Sequence, residues 1–220
     1  MSERWVTFDC YGTMVDWRTG MVDALEGVVP GRSADLVDAY HRFEPVVEAE
    51  LPFRKYRAVL AEGLRRAAES IQIPLVGAQL HVLAATLSTW PAFPDSVAAL
   101  EQLRADGYSL GILSNVDVDL IRGTLAGPLP VPFDDVITAE EVRSYKPGGG
   151  LFDEFLTRYA PDRSQWIHVG SSLWHDCEPA HDRGFRTVLI DRSGMPTDAG
   201  CATLVLPDLA ALPAGLRELG

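Results

Sequence analysis

Apolar residues along this chain follow two rhythms, and the change between them divides it into regions. The run Trp5-Val6-Thr7-Phe8, β-branched and aromatic without strict polar alternation, reads as a strand buried on both faces. From residue 20 to residue 90 the strand signal fades and helical spacing predicts helices at 21–29, 34–50, 54–71 and 76–90. Pro30-Gly31, Leu51-Pro52 and Ile73-Pro74 separate them, because proline ends a helix and pushes the residue before it out of helical geometry. Beyond Pro91 the chain alternates: helix 96–106, strand 109–113, helix 119–125, strand 135–138, helix 150–159, strand 166–169, helix 174–183 and strand 187–190. Residues 203–206 add a further strand before a short C-terminal helix. Alternation of this kind implies a parallel sheet with helices on both faces. The expected fold is α/β, with a Rossmann-like core from residues 1–16 and 91–220 and an inserted helical cap over 17–90.

Composition narrows the partners. Of 220 residues, 47% are hydrophobic, enough for one sizeable domain with an insert, yet no apolar run approaches the roughly 18 residues a membrane span needs. The start, Met1-Ser2-Glu3-Arg4-Trp5, carries an acid and no apolar core, which reads as no signal peptide. Cys10, Cys177 and Cys201 are odd in number and lack metal spacing, as suits a reducing cytoplasm. Against 31 acids stand 19 bases, a net charge of −12, which argues against nucleic acid and anionic membrane as partners.

Chemistry concentrates at the strand ends. The first strand runs into Asp9 and a Gly12-Thr13 turn, and a carboxylate there sits in the crevice where open α/β sheets bind ligands. Asp9 in that position can act as a nucleophile, forming an ester that water later hydrolyses; Asp-x-x-Gly is also ordinary turn chemistry. The second strand ends in Ser114-Asn115, two groups able to hold a substrate oxygen. After the third comes Ser144-Tyr145-Lys146-Pro147, whose lysine can neutralise a carboxylate or grip an anion. The fourth ends in Gly170-Ser171-Ser172, followed by Leu173-Trp174-His175-Asp176 at a helix start that attracts anions. Each motif alone reads equally as turn, loop or cap; their joint appearance, in order and each after a strand, points to a site.

Together, Phe8-Asp9-x-Tyr11-Gly12-Thr13, Leu113-Ser114-Asn115, Tyr145-Lys146-Pro147 and Gly170-Ser171-Ser172 with Asp176 resemble the four motifs of the haloacid dehalogenase superfamily, over residues 4 to about 207. Within it the chain looks like the type II 2-haloacid dehalogenases. The superfamily's phosphatases carry a second acid at the position of Tyr11 and an acid at that of Ser171, the latter completing a Mg²⁺ site. The resemblance therefore implies a cytoplasmic hydrolase without cofactor, Mg²⁺ included, acting on a small-molecule carboxylate as monomer or homodimer. Phosphatase and non-catalytic binding protein are the competing readings. By motif, Asp9 is the nucleophile, Lys146 pairs with it or with the substrate, and Asp176 positions the hydrolytic water. Thr13, Ser114 and Asn115 orient nucleophile or substrate, and the amides of Cys10 and Tyr11 bind the substrate carboxylate, with Ser171 and Ser172 beside it. Trp17 and Tyr56 are expected over the substrate, excluding water.

The chain departs from that subgroup at three positions. Where those enzymes have a halide-binding cap arginine, the nearest residue is His41 with Arg42 beside it, and a cation among Phe53, Arg54, Lys55 and Tyr56 is the other candidate. Phe152 replaces a tyrosine and Leu173 an asparagine. Residues 8–17, 90–95 and 172–176 are similar to azetidine-2-carboxylate hydrolase, whose amine leaving group needs a proton that His175 could supply or relay. His168, inside a strand, is expected to be a satisfied core histidine, and His81 and His181 surface residues.

Overall fold

Six strands form one parallel sheet in the order β3-β2-β1-β4-β5-β6: β1 (Trp5–Phe8), β2 (Ser109–Ser114), β3 (Asp135–Thr138), β4 (Trp166–Gly170), β5 (Arg186–Ile190) and β6 (Leu204–Leu206). The structure is a computed structural model and describes residues 4–192, 194 and 199–219. All four residues of β1 are buried, because β2 and β4 flank it and helices cover both faces. The chain builds outward from β1 to β2 and β3, then returns to its other side for β4. That reversal makes the β1/β4 junction the switch point where such sheets open a crevice. Phe8 pairs with Val169 there, so the residues that follow, Asp9 and Gly170, emerge side by side.

One face of the sheet carries Trp5, Trp166 and Phe185, closed by Leu151, Phe152 and Phe155 of α8 (Gly150–Tyr159). The other carries Val6 and Phe8, and its core continues without a break into the helical insert. That insert comprises α1 (Trp17–Glu26), α2 (Ser33–Glu48), α3 (Tyr56–Ser70) and α4 (Val82–Thr86). The remaining helices are α5 (Ser96–Ala105), α6 (Val118–Ala126), α7 (Ala139–Val142), α9 (Glu178–His181) and α10 (Leu212–Leu219).

The structure departs from the sequence reading in four places, each with a local cause. The first helix begins at Trp17 rather than 21, because the Asp16 carboxylate caps it by accepting from the Thr19 N–H at 3.0 Å and hydroxyl at 2.7 Å. The helix expected over 76–90 is split into 3₁₀ turns at Gly77–His81 and Leu87–Thr89 around the short α4. There Gly77 has φ +55° and the Thr86 hydroxyl donates back to the Val82 carbonyl, both of which disturb a continuous ladder. Helix α7 was missed although Thr138 and Glu141 form a capping box. The helix expected over 174–183 is a π-helical turn, Leu173–Cys177, leading into α9, with Pro179 in the first turn. Such single π-turns are frequent at functional sites.

Phe155 lies between Trp5 (ring centroids 5.0 Å) and Trp166 (4.5 Å) with no exposed surface. Phe155→Ala removes the ring that joins α8 to the sheet and is expected to lower stability by about 3–5 kcal/mol. A urea midpoint displaced at unchanged slope is the expected readout.

Candidate active site

The loop after β1 is tied back on itself before any side chain is considered. Asp9 donates its N–H to the Val169 carbonyl (2.9 Å), and Met14 and Val15 both donate to the Cys10 carbonyl (2.8 and 3.0 Å). Gly12 has φ +103°, and a Cβ on it would lie 2.9 Å from the Ser171 hydroxyl, so backbone conformation and space both require glycine. This loop fixes the Asp9 carboxylate. Its Oδ2 accepts from the Thr13 hydroxyl (3.1 Å) and its Oδ1 from Lys146 Nζ (2.9 Å).

Lys146, only 1% exposed, binds two carboxylates at once: Nζ also donates to Asp176 Oδ1 (2.6 Å) and to the Leu113 carbonyl (2.8 Å), using all three ammonium protons. Burial opposes charge on every member of this triad, and the ion pairs decide the outcome. For Lys146 burial is outweighed by Asp176 and Asp9, and its pKa rises. For Asp176 burial is outweighed by Lys146 and His168, leaving its carboxyl well below the usual range. For Asp9 burial prevails over Lys146 with help from the Asp176 charge, and its carboxyl is raised. One ammonium cannot fully compensate two buried carboxylates. Gly170 lets Asp176 come this close, since a Cβ on Gly170 would stand 2.4 Å from the Asp176 side chain.

Behind Asp176 runs a buried thread. Trp166 Nε1 donates to the Thr7 hydroxyl (2.8 Å), which lies 2.9 Å from His168 Nδ1. His168 Nε2 faces Asp176 Oδ1 at 3.5 Å, an acceptor that favours the tautomer protonated on Nε2, with Nδ1 accepting from Thr7. His168 is the satisfied core histidine expected, and it is also a neighbour of Asp176. Burial holds its pKa down. Ser172 holds His175 similarly: its hydroxyl accepts from the His175 N–H (3.1 Å) and lies 3.1 Å from Nδ1. Burial lowers the His175 pKa as well.

A cleft of about 900 Å³ opens over Asp9. It is lined by Asp9, Tyr11, Trp17, Tyr56, Ser114, Asn115, Lys146, Ser171, Ser172, His175 and Asp176, which brings eleven of the thirteen candidate residues into one space. The other two sit behind it: Thr13 is buried against Asp9, and the Cys10 thiol lies in the core, where burial pushes its pKa up. Asn115 is clamped by the Lys146 backbone, accepting from its N–H (2.7 Å) and donating to its carbonyl (3.0 Å). The buried Ser114 hydroxyl has no hydrogen-bond partner among the described residues. Trp17 stacks on His41 (5.3 Å) at one wall. The Tyr11 hydroxyl turns away from Asp9 to Thr124 (2.9 Å).

Of the candidates named for the leaving group, His41 lines the cleft and the three cations do not. Arg54 pairs with Glu50 (3.0 Å) and Lys55 with Glu140 (2.6 Å), and neither lines the cleft; nor does Arg42. Phe152 is fully buried, edge-on to His168 (4.9 Å). Lining the cleft from α2 beside His41 are Glu44 and Glu48, which the sequence reading passed over. Tyr56 donates its hydroxyl to Glu44 (2.6 Å), and Tyr40 does the same (3.0 Å). Also missed was Asp117, fully buried, which accepts from the N–H groups of Tyr56 (2.7 Å) and Arg57 (3.1 Å) and so caps α3 from the core side. The signal for the glutamates was their spacing: His41, Glu44 and Glu48 share one helix face at i, i+3 and i+7.

A family model described as haloacid dehalogenase-like hydrolase matches residues 3–184. An (S)-2-haloacid dehalogenase of Pseudomonas sp. (strain CBS-3) is 28% identical over 96% of both chains. One of Burkholderia cepacia is 26% identical over 92% of this chain and 89% of its own. Among solved structures, that of an L-2-haloacid dehalogenase superposes with a TM-score of 0.86 at 25% identity, covering 99% of this chain and 100% of that one.

Removing the shared cation tests the triad. Lys146→Met leaves two buried carboxylates uncompensated and is expected to lower stability by about 3–5 kcal/mol at neutral pH. Both carboxyls would then bind protons more tightly folded than unfolded, so the deficit should shrink as pH falls from about 7 to about 5. Urea titrations at the two pH values measure it.

Proposed function

The chain belongs to the haloacid dehalogenase-like hydrolase family, and we propose from that premise that it replaces a substituent at the carbon next to a carboxylate, by way of an ester on Asp9. The observation that carries this reading is the Asp9 carboxylate, held by Thr13 on one oxygen and by Lys146 on the other at the base of the cleft. Oδ1, bound to an ammonium, is the poorer nucleophile. Oδ2, bound only to a hydroxyl, attacks carbon as the substituent leaves from the opposite side with its bonding electrons. Oδ1 then becomes the ester carbonyl, already facing Lys146 Nζ at 2.9 Å. When water adds to the ester carbon, the oxyanion develops where that ammonium stands, which is electrostatic stabilisation prepared in advance. The ester bond breaks, a 2-hydroxy acid departs, and Asp9 is restored.

The surrounding groups take supporting parts. Ser114, the loop amides of Cys10 and Tyr11, and Ser171 hold the substrate carboxylate, while Ser172 keeps His175 in place beside it. Asn115 keeps Lys146 in register. Asp176, too weak a base to take a proton readily, aligns the hydrolytic water through its place beside Lys146. The relatives named (S)-2-haloacid dehalogenases support 2-haloacids as the substrate class. The donor set speaks against a divalent metal at Asp9: the Lys146 ammonium occupies the gap between Asp9 and Asp176, and Tyr11 and Ser171 contribute no carboxylate.

Asp9→Asn should therefore abolish turnover of 2-chloropropionate while the protein stays folded, checked by activity and thermal melting together. In a single turnover in H₂¹⁸O, label should enter the Asp9 side chain of the wild-type enzyme before it reaches product. Label in the first-turnover product with an unlabelled Asp9 peptide would sink the covalent route. Initial rates on the same substrate should survive EDTA unchanged, and a demand for Mg²⁺ would count against the metal-free reading.

A further inference from the structure

Halide displacement by Asp9 uses no acid, yet a carboxyl group with no cation in close contact among the described residues lines the nucleophile's cleft. Glu48, in the last turn of α2, has 7% of its side chain exposed and lines the same cleft as Asp9. Its contacts are too long to support a negative charge: 3.5 Å from Oε1 to Asn115 Nδ2 and 4.0 Å from Oε2 to His175 Nε2. Among the described residues, the lysine and the arginines lining the cleft are committed elsewhere. Lys146 serves Asp9 and Asp176, Arg18 is paired with Asp38 (2.6 Å), and Arg192 with Asp95 (3.1 Å). Glu44 adds a second carboxyl to the same wall. Burial, reinforced by Glu44 and opposed by the Lys146 charge, pushes the Glu48 carboxyl well above the usual carboxylate range. Chloride and bromide leave carbon unaided as stable anions, and an acidic wall does nothing for them.

We propose that Glu48 is a proton donor to the departing group, and that the site is built for leaving atoms that accept a proton or a strong hydrogen bond: the fluorine of a 2-fluoro acid, or the nitrogen of a strained cyclic 2-amino acid. The inference rests on the Asp9 ester reading and specifies its substrate. As Asp9 Oδ2 bonds to carbon, the bond from carbon to fluorine or nitrogen breaks and its electron pair stays with the departing atom. The Glu48 proton passes to that atom, the cyclic amino acid reacting as its neutral ring amine. Fluoride leaves as HF, which ionises in water; the opened ring keeps its nitrogen as an amine. Glu48 regains a proton from water in the cleft, beside which His175 Nε2 stands at 4.0 Å from the carboxyl. The net change is addition of one water across the broken bond.

The test compares 2-fluoropropionate, 2-chloropropionate and azetidine-2-carboxylate with wild-type enzyme and Glu48→Gln. Gln keeps the shape and loses the acid. General acid catalysis typically contributes about 10² to 10⁴ in rate, so the ratio of kcat/KM on the fluoro acid or the ring amine to that on the chloro acid should fall by about 10² or more. Which of the two substrates shows the fall identifies the leaving atom. Glu48→Asp, which restores an acid, should recover part of the ratio, and thermal melting of each variant separates folding from chemistry. Equal losses on all substrates, leaving the ratio unchanged, would overturn the proposal, as would wild-type enzyme that turns over only the chloro acid. In both cases the Asp9 reading would stand. If no substrate reacts and Asp9 takes up no ¹⁸O, both readings fall.

Discussion

A single buried ammonium shared by two carboxylates is the interaction on which the rest of this structure depends. Lys146 arrives from the loop after α7, Asp9 from the end of β1 and Asp176 from the π-turn after β4. Each would be costly to bury alone. Joined, they connect three segments distant in sequence and fix where the sheet's open edge meets the cap. The geometry is unequal by necessity: one cation leaves Asp176 firmly ionised and Asp9 less so. The less compensated of the two is the one more open to the cleft.

The seam between sheet and cap is tied by polar groups rather than by apolar packing alone. Asp117, from the loop after β2, caps α3, and the Tyr145 hydroxyl donates to the Arg54 carbonyl at 2.8 Å. Both residues lie next to site residues in sequence, Asp117 two after Asn115 and Tyr145 one before Lys146. The loops that position the chemistry are therefore also the loops that hold the cap over it.

Much of this was legible in the sequence, for a physical reason. Strand ends in a parallel sheet converge, so a residue just past Phe8, Leu113 or Val169 is near the others whatever the intervening chain does. Helix content of the insert was equally plain from its spacing. What stayed hidden depended on which way a helix faces. Beyond their spacing from His41, nothing in the sequence singles out Glu44 and Glu48 from the other acids of the insert, and only the packing of α2 on α3, with Tyr40 and Tyr56 reaching Glu44, turns them inward. The break-up of 76–90 was hidden because the Thr86 back-bond is a choice made in three dimensions. For the same reason Arg54 and Lys55, cations in a plausible stretch, proved to have partners of their own.

The stripe of His41, Glu44 and Glu48 along α2 divides labour between two independently variable parts of the molecule. On the proposed reaction, bond making falls to residues rooted in the sheet, where a change in one disturbs strands, triad and core together. The departing atom would be met by one face of a helix that belongs to the insert. Exchanging two or three residues on that face would then alter which bonds break without touching the apparatus that breaks them. On this proposal a lineage holding the architecture moves between leaving groups by small steps, its nucleophile unchanged throughout.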